Sequence, residues 1–190
     1  MKKQFNDQPV ETLVQQCLSR EGKVLDLHLK YIGDEGVEYL AQNPDLDGVE
    51  ELNLERNNIT DRGARALADS PVLNRLKVLI LQRNSIGDAG IISLARSPLA
   101  SRLTHLDLWK NDIGPDGAKA IAESIQLVNL QRLDLAQNHI GNEGAQALAE
   151  SSTLSALNYM DLFGNGMGEE AIKAIKESEA FKNVPNMILE

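Results

Sequence analysis

A right-handed α/β solenoid, with a parallel sheet on its concave side and helices on its convex side, is the fold this sequence predicts. Three observations carry that expectation. The 190-residue chain repeats itself at a 27-residue period over six copies, with no insertion or deletion. Within each copy the apolar spacing switches from strand alternation to helical period. The chain also holds 28 leucines against one Trp, three Tyr and three Phe. That balance suits narrow buried columns refilled with aliphatic side chains at every turn.

The first element precedes the repeats. Val10, Leu13, Val14, Cys17 and Leu18 form an apolar helical stripe behind Pro9, with Asp7 as a candidate cap, so residues 1–21 read as an N-terminal capping helix. Six repeats then occupy 22–183, and 184–190 reads as a closing strand, all within one domain spanning 1–190. The clearest copies start at Leu52, Leu79, Leu106 and Leu133, with looser ones at Leu25 and Met160 and a further strand start at Met187. In the fourth copy Leu103, Leu106 and Leu108 alternate as a short strand, and Gly117 to Glu123 follows at helical spacing. Asp34, Asp61, Asp88 and Asn142 mark helix starts and can cap free amides, while Pro115 takes that place in the fourth copy. A single strand and helix cannot bury their own apolar face, so neighbouring copies must stack.

Stacking implies columns. Leu40, Leu67, Leu94, Ile121, Leu148 and Ile175 form one buried column, and Ile32, Ile59, Ile86, Ile113, Ile140 and Met167 another. A polar column, Asn57, Asn84, Asn111, Asn138 and Asn165, is read as a structural asparagine ladder, because an amide can donate and accept at each turn. Lys30 replaces the asparagine in the first copy, and Ala171 replaces the helix glycine in the last. Phe181 continues the column of Leu46, Leu73, Leu127 and Leu154, and Pro185 suits an edge strand, so both ends read as finished.

The run Leu106-Asp107-Leu108-Trp109-Lys110-Asn111-Asp112-Ile113-Gly114, with Gly117-Ala118-Lys119-Ala120-Ile121-Ala122 behind it, resembles a leucine-rich repeat. Its long helical half and its Gly-Asp/Glu-x-Gly-Ala turn are similar to the ribonuclease-inhibitor-like subclass. The resemblance covers about residues 22 to 189 and implies a horseshoe. Strands spaced ~4.8 Å apart cannot run parallel to helices spaced ~8–10 Å apart without the stack bending toward the sheet.

Composition removes several functions. With 28 acidic against 19 basic side chains the net charge is −9, which opposes nucleic-acid binding. The single Cys17 excludes a disulfide framework or a cysteine-based zinc site and reads as a buried, inert thiol. No apolar run approaches the ~20 residues of a membrane helix, and Met1 to Asp7 lacks the apolar stretch of a secretory signal. A cytoplasmic protein without cofactor or metal is expected, with a secreted bacterial effector as the alternative, and a monomer is the default. Gly164-Asn165-Gly166-Met167-Gly168 superficially suggests a phosphate loop, but the repeat register accounts for it and no Lys-Ser/Thr follows. His28, His105 and His139 lie on separate repeats and share no metal geometry, and no Ser or Cys nucleophile accompanies His105 and Asp107.

The remaining signal is on the outward strand positions. One outward column is Val24, Glu51, Val78, His105, Arg132 and Tyr159; the next is Asp26, Asn53, Ile80, Asp107, Asp134 and Asp161. At the strand ends stand His28, Glu55, Gln82, Trp109, Ala136 and Phe163, beside a row of Leu29, Arg56, Arg83, Lys110, Gln137 and Gly164. These columns vary while the buried ones do not. His105, Asp107, Trp109, Arg132, Asp134, Tyr159, Asp161 and Phe163 are therefore expected to form one concave patch that binds a protein or peptide, on hot-spot residue types. Arg56, Arg83 and Lys110 would add a basic edge. The resemblance also extends to the Ran GTPase-activating protein, which implies the alternative of regulating a partner enzyme.

Overall fold

The computed structural model describes residues 8–190, so the candidate cap Asp7 lies outside the described residues. Seven short strands are found among them: β1 (Val24–Asp26), β2 (Glu51–Asn53), β3 (Val78–Ile80), β4 (His105–Asp107), β5 (Arg132–Asp134), β6 (Tyr159–Asp161) and β7 (Asn186–Ile188). They form one parallel sheet in chain order. The register advances by one repeat at each pairing, which aligns Leu25, Leu52, Leu79, Leu106, Leu133, Met160 and Met187 across the sheet. Helix α1 (Val10–Cys17) precedes β1, and a helix follows each of the first six strands: α2 (Gly33–Gln42), α3 (Asp61–Ala68), α4 (Asp88–Arg96), α5 (Pro115–Ala122), α6 (Gly141–Ala149) and α7 (Glu169–Glu177). Each of α2 to α6 packs against the next helix. The chain is an α/β solenoid.

One continuous core lies between the two layers. The column from Leu40 to Ile175 is buried at every position, as are Ile59, Ile86, Ile113 and Ile140, while Ile32 and Met167 at the two ends are half-buried. Phe181 is buried in the column of Leu46, Leu73, Leu127 and Leu154. Leu13 and Val14 of α1 join the core; Cys17 packs against it but is half-buried, not fully enclosed as its stripe position suggests.

Polar contacts join the repeats at fixed depth. Asn57 donates from Nδ2 to Leu27 O at 2.9 Å and accepts Ile32 N–H on Oδ1 at 3.2 Å. The same pair of bonds ties Asn84 to Leu54 and Ile59, Asn111 to Leu81 and Ile86, Asn138 to Leu108 and Ile113, and Asn165 to Leu135 and Ile140. Each amide thus satisfies an N–H of the preceding repeat that would otherwise lack a partner, and donates to a carbonyl there that, except for Leu54 O, its own repeat also serves. A second ladder, of serines, recurs at the same 27-residue period. Ser70, Ser124, Ser151 and Ser178 donate from Oγ to Ala41, Ala95, Ala122 and Ala149 of the preceding helix. Their oxygens also accept amides of the following turn. Ser97 in the same column turns its proton to Leu94 O of its own repeat.

The caps run in an unexpected direction. Asp34, Asp61 and Asp88 do cap helices, but each caps the helix of the next repeat. Asp61 Oδ1 accepts Gly87 N–H at 2.7 Å and Gly90 N–H at 3.0 Å; Asp88 Oδ1 does the same for Gly114 and Gly117, and Asp34 for Thr60 and Gly63. Asn142 reaches Gly168 N–H. Helix glycine follows from this contact: a Cβ on Gly117 would lie 2.6 Å from Asp88 Oδ1. Pro115 offers no such oxygen, and Gly141 behind it turns to φ +61° and donates to Asn165 O instead. Gly33, which has no preceding repeat, adopts the same φ, +62°, and donates to Asn57 O.

Replacing Asn111 by Ala leaves Ile86 N–H without a partner in the core and removes one of the two amide donors from each of Leu81 O and Leu108 O, and is expected to cost about 1–3 kcal/mol. An unfolding curve superimposable on the parent's would contradict the assignment. Replacing Asp88 by Ala should cost about 1 kcal/mol and speed amide exchange at Gly117, in α5, while leaving Gly90 at the start of its own helix protected. Faster exchange at Gly90 alone would reverse the direction of the cap.

Candidate functional site

Strand alternation sends Leu52 and its column mates into the core and the flanking positions to the helix-free face. Register makes His105, Arg132 and Tyr159 neighbours on three adjacent strands, and likewise Asp107, Asp134 and Asp161. The structure thus juxtaposes six of the eight expected contact residues. Trp109 and Phe163 stand two strands apart, roughly 10 Å by sheet spacing, with the buried Ala136 between them. The expected single aromatic patch is divided.

The two halves differ in accessibility. Trp109 is half-buried, with the Arg83 guanidinium 4.3 Å from its ring centroid and Glu55 3.9 Å from Arg83 Nε. Such a cation–π pair holds the indole in place and covers one of its faces. In the other half, Arg132 lies 3.5 Å over the ring of Tyr159, whose Oη donates to Asp161 Oδ2 at 3.4 Å. Phe163 beside them is 46% exposed.

The carboxylate column has a structural duty. Asp26, Asn53, Asp107, Asp134 and Asp161 each accept, on Oδ1, the N–H two residues on, closing a turn at the strand end. Ile80 cannot do this, and in its repeat Gln82 donates instead across the strands to Asp107 Oδ2. Both oxygens of Asp107 are consequently occupied and the residue is 5% exposed. Asp107 thus holds the strand end and presents little surface on this face. Asp134 and Asp161 keep one oxygen free of the turn.

The adjoining row also departs from expectation. Leu29, Arg56, Arg83, Lys110, Gln137 and Gly164 all have left-handed backbone, with φ between 53° and 72°. A side chain there costs on the order of 1 kcal/mol. Five of these N–H groups, from Leu29 to Gln137, donate to the next repeat's strand-end carbonyl, which offsets the strain. Only Gly164 signals this conformation in the sequence. The glycine loop around it also serves the stack, since Gly168 N–H is taken by Asn142 and Asn165 stands in the ladder.

Burial raises the Asp134 carboxyl to about 6, and the neighbouring Asp107 and Asp161 push it in the same direction against Arg132. Burial likewise lowers His105, reinforced by Arg132, and its Nε2 is buried without a partner. Tyr159 is raised by burial and by the two carboxylates beside it. His28, in the turn after β1, pairs with Asp26 at 2.8 Å and lies three strands from His105. No helix among the described residues is long and apolar enough to cross a membrane.

Because Asp134 titrates near 6 when folded against an ordinary 3.8, its ionisation opposes folding. Its stabilising contribution is present below about pH 4 and lost as pH rises through 6. A carboxyl NMR titration should place the Asp134 midpoint near 6, and Asp134→Asn should remove that part of the pH dependence while keeping the turn bond. A midpoint near 4 would contradict the burial described.

Comparisons with known proteins place this architecture. The Leucine Rich repeat family matches residues 49–68, 73–95, 102–122 and 126–149, which fall on the second to fifth copies. An internalin (InlF) from Listeria monocytogenes is similar at 21% identity with TM-score 0.59, over 80% of this chain and 37% of the internalin. The ectodomain of the receptor kinase SOBIR1 from Arabidopsis thaliana aligns at 23% identity over 65% of this chain and 61% of its own, with TM-score 0.36. The chain therefore spans well under half of the internalin and under two thirds of the ectodomain. No curated protein matches. Four consecutive copies match the Leucine Rich repeat family and the 27-residue stack continues on both sides of them, so the chain has the leucine-rich repeat fold.

Proposed function

We propose that the chain binds a protein or peptide on the helix-free, concave face of its sheet, centred on the fourth to sixth repeats. Leucine-rich repeat proteins are in general protein-interaction modules. The observation that carries the placement is the grouping of exposed Phe163 with the Arg132–Tyr159 stack. A stacked guanidinium keeps its N–H edge available, so aromatic contact and charge-assisted hydrogen bonds can come from the same few residues. Asp134 and Asp161 supply acceptors beside it.

Within this reading Trp109 contributes the exposed part of its ring, and Asp107 holds the strand end beneath it. The reading is of a non-enzymatic, cytoplasmic interaction module. A helix after each of the first six strands, at a 27-residue period, supports placing it in the ribonuclease-inhibitor-like subclass.

A Trp109→Ala/Phe163→Ala variant should lose its partner in affinity capture performed side by side with the parent, and its melting temperature should fall by only a few degrees, as one or two kcal/mol allows in a domain this size. Capture of the same partners by both proteins would remove the concave face from consideration.

A further inference from the structure

The edge at which each strand begins carries a second surface, unrelated to the aromatic residues. Two columns run along it. Arg75, Arg102, Asn129 and Ala156 occupy one position in successive repeats, and Glu50, Lys77, Thr104 and Gln131 another. These residues and Ser101 line a groove of about 470 Å³ crossing the edge of β3, β4 and β5.

Its charge runs against that of the molecule. In a chain of net charge −9, this edge gathers Lys23, Arg75, Lys77 and Arg102 beside the acidic Glu21, Asp47 and Glu50. Glu50 is already committed: Lys77 Nζ lies 2.6 Å and Lys23 Nζ 3.6 Å from it, and the bond to Lys77 foremost holds its carboxyl below the ordinary range. Asp47 reaches Arg75 only at 4.0 Å. Arg102 forms no ion pair among the described residues, although the repeat sets it beside Arg75. Two neighbouring guanidiniums with so little compensation favour an anion between them.

The uncharged lining indicates what kind of anion. Thr104 Oγ1 donates its proton to Lys77 O, and Ser101 Oγ donates to Pro98 O. Their oxygens are left as acceptors, which a simple oxyanion cannot use but a peptide N–H can. Gln131 can offer both a donor and an acceptor. We propose that this groove binds an acidic peptide segment of a partner protein, its carboxylates on Arg75 and Arg102 and its backbone amides on Ser101 and Thr104.

The test uses the full chain and a fluorescein-labelled hexaglutamate peptide, followed by fluorescence anisotropy at low salt. Saturable binding is expected, weakening at least about tenfold in Arg75→Gln/Arg102→Gln, the scale of losing two charge-assisted contacts, and by a lesser factor in Arg102→Gln alone. Both side chains are exposed, so the variants should melt like the parent. Trp109→Ala/Phe163→Ala should bind the peptide as the parent does, which separates this site from the concave one. The absence of saturable binding by the parent, equal binding by the arginine variants, or displacement by inorganic phosphate as effectively as by unlabelled peptide would each overturn the proposal.

Discussion

The hydrogen bonds that each repeat makes to the one before it are the constraint on which this structure depends. Strands of three residues and helices of eight to ten have little stability alone. Apolar columns supply the driving force for stacking, but leucine against leucine tolerates displacement. The asparagines do not, because a shift of one residue would leave Leu54 O and the N–H groups of Ile59, Ile86, Ile113 and Ile140 unsatisfied. The serine ladder fixes the convex side in the same way, and the Asp34, Asp61 and Asp88 carboxylates fix the helix starts. Register is thereby held at three depths.

A surface follows from that rigidity. The helix-free face needs little of its own side-chain packing to stay in place, so His105, Arg132 and Tyr159 can differ from Val24, Glu51 and Val78 at equivalent positions. Two features nonetheless tie parts of this face to the fold. The aspartate column closes each strand end, and the left-handed row turns the chain toward the asparagines. Those duties leave Arg132, Tyr159, Phe163 and the second oxygen of Asp134 unconstrained on this face. The basic groove occupies a different edge, where surface residues are under still less constraint.

Much of this was legible in the sequence because the repeat reports the same environment several times. Six copies of an apolar position identify a core column, and five asparagines at one position identify a buried polar one. What escaped reading depends on contacts between copies. An aspartate at a helix start lies near two helix N-termini, and only the geometry shows that Asp61 serves Gly87 and Gly90 rather than its own helix. Asp107 looked like its neighbours in the column, yet Ile80 one strand away frees Gln82 to occupy it. Trp109 looked open because Arg83, which covers it, is 26 residues distant in the chain. The left-handed row was invisible because only its last member is glycine.

If bonds between repeats hold the array together, its repeats cannot open one at a time. Native-state hydrogen exchange in increasing denaturant tests this most directly at the amides of Ile59, Ile86, Ile113 and Ile140, each accepted by the asparagine of the following repeat. The account predicts that all four converge on a single opening free energy equal to that of global unfolding. Four distinct opening energies, graded from one end of the stack to the other, would contradict it.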